Sequence, residues 1–438
     1  MENFSDKRRL EIFTSRWWDD FLETSCNLTK TSVFKGCMDR VETRRLRSDV
    51  LRVVKELASR RICRYGCYGY RVFIDGVLVP PREMERIYDV PPLDGEALED
   101  WTERAFGDKK FGIIINLGEN FDLDLASDIA LKTKPLWEKV GFPREGTTFT
   151  IFIGNYDKTP LGIHKDSAGE NVIHFHLGPA GKRMYTWGQR EFESLLAANG
   201  GKSDDMGAFI PHATESDFGE GDLYFMPEGQ YHIGQQEGLS IGITLWQHNH
   251  TTSGMLTKLR TVLFSQFSEE AGALLAPDRC SLDDVGGLDQ VLDTLKFPEE
   301  LASLSFKDLM REAYRDLRYS IHSNAGYSTH PSPMPESAFL DPEDVVQKEE
   351  PFEILWRESL HRQKLHVYAR GVKLELNNFE CIKELVRVIN LGAPKRVQEL
   401  LGILDASWDE EIGLYILSML YRHHGIRRLQ SSHAETVS

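Results

Sequence analysis

Cysteine is scarce and unpaired in this chain. There are six in 438 residues; Cys26, Cys37, Cys280 and Cys381 are scattered, and only Cys63 and Cys67 lie close together. A zinc site built on that Cys-x3-Cys would need a second pair, which is absent, so free thiols are expected. Long apolar runs are missing too. No stretch approaches the ~20 residues that cross a bilayer, and Met1 to Arg9 has no hydrophobic core behind its charges. A cytoplasmic protein without membrane contact is therefore expected. Basic residues are outnumbered, with 52 Lys and Arg against 68 Asp and Glu and a formal net charge of −16. That balance argues against broad nucleic-acid binding, which depends on a basic face neutralising phosphates. What is present, 41% hydrophobic and 27% charged residues, suits a globular chain of about two to four domains.

The chemistry concentrates between Gly162 and Trp246. His164 and Asp166 stand two residues apart, and on a strand such residues face the same side. His232 follows Pro227-Glu228-Gly229, a turn signal behind the strand candidate Leu223 to Met226. Two histidines and one carboxylate can occupy one face of a metal's octahedron and leave the other open, the arrangement of non-haem Fe(II) oxygenases. Thr148 to Ile153 alternates as a strand leading to the pair. Leu239 to Trp246 alternates strictly, with Ser240, Gly242, Thr244 and Trp246 on one face and Leu239, Ile241, Ile243 and Leu245 on the other.

Taken together, Gly-x-His-x-Asp at Gly162 to Asp166, Gly-Lys-Arg-Met-Tyr at Gly181 to Tyr185, and Gly-Asp-x-Tyr-x-x-Pro-x-Gly-x-x-His at Gly221 to His232 resemble the Jumonji C branch of the cupin-fold oxygenases. The resemblance covers roughly residues 149 to 246. It implies Fe(II) held by His164, Asp166 and His232, with 2-oxoglutarate as co-substrate. It also implies that Lys182 clamps the far carboxylate of 2-oxoglutarate, with Arg183 as the fallback; a cation is needed to hold the dianion's distal end. Thr244 stands where the family often has a small polar residue near the co-substrate. Asn171 and Tyr156 are further candidates for the pocket wall. His174 and His176 depart from the pattern and are expected outside the barrel or behind the ligands, because a fourth protein ligand would close a position that catalysis needs open.

The expected fold class is α+β, with a double-stranded β-helix (cupin) core. Residues 1–110 read as an N-terminal α/β module. Its basic helix Val41 to Ser59 carries Leu46, Val50, Val53, Val54 and Leu57 on one stripe and Arg44, Arg45 and Arg47 on a solvated face. Asp75-Gly76 signals a hairpin over Tyr70 to Val79. Residues 111–250 form the catalytic barrel, and the polar insertion Gly200 to Asp217 is a candidate cover for its mouth. Residues 251–322 are helical, and by likeness to ribosomal-protein hydroxylases they are a candidate homodimerisation segment. Residues 323–350 read as a linker. Residues 351–438 read as a winged-helix-like domain, with a hairpin at Ala369-Arg370-Gly371 and three helices, the last capped by Ser407 with Glu410.

The leading expectation is an Fe(II)/2-oxoglutarate dioxygenase that hydroxylates a protein or peptide. A free amino acid or other small metabolite is the alternative substrate. A metal-binding cupin without oxo-acid chemistry would favour three or four histidines over Asp166 and Lys182, and an inert binding protein would have no need of a complete triad.

Overall fold

A computed structural model describes residues 12–60, 70–80, 89–159, 161–201, 206–249 and 251–429, apart from 270, 271, 273, 276, 278–280 and 282. The hypothesised Cys63, Cys67 and Cys280 thiols lie outside the described residues. Cys26, Cys37 and Cys381 are free. No described helix is long and apolar enough to cross a membrane.

Helix and antiparallel sheet are mixed throughout. The larger sheet has eight strands in the order β1 (Ser32–Phe34), β10 (Leu223–Met226), β7 (Glu170–Pro179), β12 (Ser240–His248), β5 (Thr147–Gly154), β4 (Phe111–Ile115), β2 (Arg71–Ile74) and β3 (Val77–Leu78). The smaller has four, in the order β6 (His164–Lys165), β11 (Tyr231–Gln236), β8 (Lys182–Trp187) and β9 (Thr214–Phe218). The alternation of β12 is expressed as expected. Ile241, Ile243 and Leu245 enter the main core, while Thr244 and Trp246 line a cavity between the sheets. On the far face of the eight-stranded sheet, Ile151, Ile153, Ile173 and Phe175 meet apolar stripes of three helices: α1 (Ser15–Thr24), α2 (Arg40–Arg60) and α4 (Leu123–Val140). The helix α3 (Leu98–Phe106) adds Trp101 to the same core. Both faces of this sheet are therefore covered, and its two sides are told apart by polarity alone.

Several expected boundaries are corrected. Residues 1–110 do not form a separate module, because β1 pairs with β10, β2 pairs with β4, and Trp18, Leu46 and Val53 share one core with Ile153 and Ile243. Arg47 is not solvated. It lies buried beside Glu220 and Glu99, 2.9 Å from each, and donates to the Leu177 carbonyl at 2.7 Å; an arginine can enter a core when its donors are met. The stripe Leu46, Val50, Val53, Val54 and Leu57 is buried as expected. The hairpin turn falls on Asp75 and Gly76, both at positive φ, the twist that two-residue hairpins favour.

Residues 323–350 are not a linker. Tyr327 is buried and donates to the Ala126 carbonyl, Leu340 and Val346 enter a core, and β13 (Val345–Lys348) is the central strand of a three-stranded sheet with β17 (Lys395–Arg396) and β18 (Ile426–Arg428). A second sheet holds β14 (Leu355–Glu358), β15 (Lys364–Ala369) and β16 (Val372–Asn377), followed by helices Glu380–Asn390, Val397–Leu401 and Glu410–Arg422. The last helix is preceded by Asp409 rather than capped by Ser407, whose hydroxyl bonds Asp405 instead. At the β15–β16 turn, Arg370 adopts a left-handed φ of 48° and packs on Phe352, which belongs to the main core. It is 1% exposed, its guanidinium lies 3.3 Å from the Phe352 ring centroid, and two of its nitrogens lack a hydrogen-bond partner. Burial pushes it down to about 10, against the attraction of Glu349, Tyr327 and Glu119.

Candidate metal centre

Antiparallel register brings the triad together. His164 on β6 is paired directly with His232 on β11, and Asp166 follows the end of β6 on the same side. The ligand atoms of His164, Asp166 and His232 all lie within 4.8 Å of one another, with His232 Nε2 3.8 Å from Asp166 Oδ2. No other such cluster occurs among the described residues. Each histidine has Nδ1 beside a backbone carbonyl two residues earlier: Gly162 at 2.9 Å and Gln230 at 3.3 Å. A carbonyl only accepts, so Nδ1 carries the hydrogen and both Nε2 lone pairs remain for a metal.

The electrostatics agree. Burial lowers His164, with the Arg71 charge adding to the effect, and pushes His232 down to about 3, with His164 adding. Both rings are thus neutral, the form that ligates. Burial raises Asp166 to about 7, helped by Glu170, and its Oδ2 is buried without a hydrogen-bond partner. An orphaned carboxylate oxygen beside two neutral imidazoles is what a divalent cation would satisfy. The residues present fit Fe(II).

The centre opens into a cavity of about 520 Å³. Lys182 faces into it from β8, its ammonium 5.7 Å from the Phe152 ring, with no carboxylate in ion-pair reach among the described residues. Arg183, one residue on, faces the opposite way and pairs with Asp217 at 2.6 Å on the exposed side. Strand parity thus separates the two candidates. Tyr156 lines the cavity, its ring filling the space that a Cβ at Gly112 or Gly154 would need.

Asn171 is not brought there. It shares the face of Ile173 and Phe175, bonds Gln247 and accepts from the Glu228 N–H at 2.9 Å. His174 and His176 do not face outward from the sheets. Both are buried, and His174 lines the cavity where Gly242 leaves room; a Cβ at 242 would sit 2.2 Å from its ring. They join a hydrogen-bonded chain: Thr244 Oγ1 to His174 Nδ1 at 2.8 Å, His174 Nε2 to His176 Nδ1 at 3.3 Å, and His176 Nε2 to the Ala180 carbonyl at 2.8 Å. Burial, with the Lys182 charge adding, keeps both rings neutral. The Ala180 carbonyl sets the direction, since it must receive a hydrogen. His174 then donates to His176, and the Thr244 hydroxyl donates to His174. Thr244 therefore lines the pocket but has only lone pairs to offer a ligand.

The described part of the insertion does not line the cavity. It runs through the short helix Met206–Phe209 into β9, and Phe209 is fully buried against Trp187, Phe192 and Ile233. Ile233 alternates with His232, so this cluster lies on the opposite face of the smaller sheet from the metal ligands. Arg71, Glu170 and His248 are among the cavity residues that went unrecognised in the sequence. Glu170 and His248 are paired at 3.2 Å. Only the alternation of the Arg71 strand hinted at an inward side chain.

No family model matches the chain, and no curated protein matches it. Among solved structures, the ribosomal oxygenase YcfD from Escherichia coli aligns over 94% of this chain and 97% of its own at 14% identity, TM-score 0.47. The same protein with cobalt and succinic acid aligns over 94% and 98% at 14% identity, TM-score 0.49. Its complex with cobalt and 2-oxoglutarate aligns over 94% and 98% at 12% identity, TM-score 0.48. Likenesses of this size carry no inference about activity.

Proposed function

We propose that this protein is an Fe(II)- and 2-oxoglutarate-dependent oxygenase that hydroxylates a C–H bond of a protein or peptide substrate. The observation that carries the reading is the convergence of two neutral imidazoles, each with Nε2 free, on the orphaned oxygen of Asp166. Bound there, Fe(II) with 2-oxoglutarate supplies activation of dioxygen, with succinate, carbon dioxide and a hydroxylated carbon as products. His164, Asp166 and His232 hold the metal on one face, and the Gly162 and Gln230 carbonyls fix the two rings. Lys182 holds the far carboxylate of the co-substrate. Phe152, Met184 and Phe218 line the cavity with it and exclude water, which strengthens that charge-assisted contact. Tyr156 closes the wall near Gly112 and Gly154. Thr244 orients His174 rather than donating to the co-substrate.

The two facing antiparallel sheets support a cupin-type barrel. The exposed Leu256, Phe264 and Leu292 support a dimerisation role for residues 251–322. The C-terminal strands and helices are read as a winged-helix-like module that packs on the barrel, not as a nucleic-acid reader. A cavity of about 520 Å³ is also the size of a small-molecule pocket, which favours a small metabolite as the second reading. Lys182 speaks against a cupin that does not use an oxo-acid.

The test is succinate formation from 2-oxoglutarate with Fe(II), together with iron binding by Asp166→Asn. The variant is expected to lose at least ~10- to 100-fold in iron affinity, the range seen even for groups that merely support a ligand. Wild-type iron affinity in Asp166→Asn, or no iron-dependent succinate from the intact protein, refutes the reading.

A further inference from the structure

The cavity holds a second cation that the reading above leaves unused. Arg71 sits on β2 in register with Ile114, and both line the cavity wall. Its Nε is buried and has no hydrogen-bond partner, and no described carboxylate pairs with it. Arg71 as a whole is half-buried, but a buried donor left unmet is costly because it forfeits its hydration. Arg71 and Lys182 lie in different parts of the cavity. Arg71 enters from β2 of the eight-stranded sheet, whereas Lys182 enters from β8 of the four-stranded sheet. A 2-oxoglutarate dianion has one carboxylate for the metal and one for Lys182, so it leaves Arg71 free.

We propose that Arg71 is the anchor for a carboxylate of the substrate, held at the β2 wall of the cavity while 2-oxoglutarate occupies Lys182. This inference rests on the oxygenase reading. The carboxylate belongs either to an acidic side chain of a peptide or to a free carboxylic acid; guanidinium recognises both by the same paired hydrogen bonds. The net charge of −16 does not oppose it. Surface charges are screened beyond ~8 Å in physiological salt, so the local cation decides what enters.

The full-length protein is loaded with Mn(II), which stops turnover, and with saturating 2-oxoglutarate, and binding is followed by titration calorimetry. One probe pair is N-acetyl-aspartate N′-methylamide against its asparagine counterpart. The other is 3-methylbutanoate against 3-methylbutanamide. At least one acid is expected to bind ~10-fold or more tightly than its amide, the size of a charge-assisted contact, and the pair that does so identifies the source. Arg71→Gln should abolish that preference. Arg71→Lys, which keeps the charge but not the fork, should retain part of it and guards against a merely misfolded Gln variant. Equal binding of acid and amide in both pairs overturns the proposal. So does a preference that survives Arg71→Gln, and so does a fall in 2-oxoglutarate affinity in Arg71→Gln matching the fall for the acid. A protein that does not bind 2-oxoglutarate with Mn(II) fails the oxygenase reading itself, whereas one that binds it and shows no acid preference fails only this inference.

Discussion

Lys182→Ala, set against Arg183→Ala, tests the site most directly. The two side chains are adjacent in sequence and opposite in orientation: Lys182 enters the cavity, and Arg183 pairs with Asp217 on the exposed face. Within the cavity no other cation reaches the Lys182 end, because His174 and His176 are neutral and Thr244 has no hydrogen to give. Losing Lys182 therefore removes the whole charge-assisted contact, about 1.5–3 kcal/mol, or a roughly 10- to 150-fold weaker 2-oxoglutarate affinity. The fold loses little, at most a cation–π contact with Phe152 worth ~0.5–1 kcal/mol. Arg183→Ala removes an exposed ion pair with Asp217, the kind that contributes little to stability, and leaves 2-oxoglutarate affinity as it is. Calorimetric titration of 2-oxoglutarate into the Mn(II) protein reads both variants. Wild-type affinity in Lys182→Ala, or a large loss in Arg183→Ala, would refute the orientation on which the co-substrate assignment stands.

Three further outcomes follow from buried groups. Burial pushes Glu119 up to about 7 from its ordinary 4.5, so the folded protein keeps a proton that the unfolded chain releases first. Its contribution is whole below pH 4.5 and lost as pH rises to about 7, a fall on the order of 3 kcal/mol in denaturant titrations that Glu119→Gln should flatten. Burial alone would raise Asp316, but Lys373 and Arg357 hold it at about 2, so its contribution is whole above pH 3.8 and lost as pH falls toward 2. Asp316→Ala leaves those two cations facing each other and should cost ~3–5 kcal/mol at neutral pH; a loss under 1 kcal/mol by the same titrations would show that the network contributes little. Phe209→Ala should cost ~3–5 kcal/mol of stability through the cavity it leaves, with the KM for 2-oxoglutarate unchanged; a raised KM would return the insertion to the mouth of the barrel.

The convergence of His164, Asp166 and His232 was legible because its signal is local. An i, i+2 pair and a turn-presented histidine need only strand periodicity to be brought together, and the alternation of Ser240 to Trp246 likewise sorted Thr244 and Trp246 to one side. Which side of a strand faces the cavity was not legible on β7. Ile173 and Phe175 pack under helices while Val172 and His174 pack toward the cavity, so both faces are buried and periodicity gives parity without direction. Asn171 and the two histidines were misplaced for that one reason. Arg47 was misplaced and Arg71 escaped notice because what surrounds them lies far along the chain, Glu220 for one and Ile114 with the cavity for the other. The stretch 323–350 has the composition of a connector, and only the distant contacts of Tyr327 and Val346 order it.

Arg370 bears on how this protein can be dissected. Its side chain, carried on a hairpin of the C-terminal half, is enclosed beside Phe352 and within the field of Glu119, Tyr327 and Glu349. Any cut that removes the C-terminal strands and helices would strip Glu119 of that countercharge and open the wall around Tyr327. A shortened protein that lost activity would then report a damaged scaffold, whichever half captures the substrate. Questions about the division of labour between the halves belong to single side-chain replacements in the intact chain.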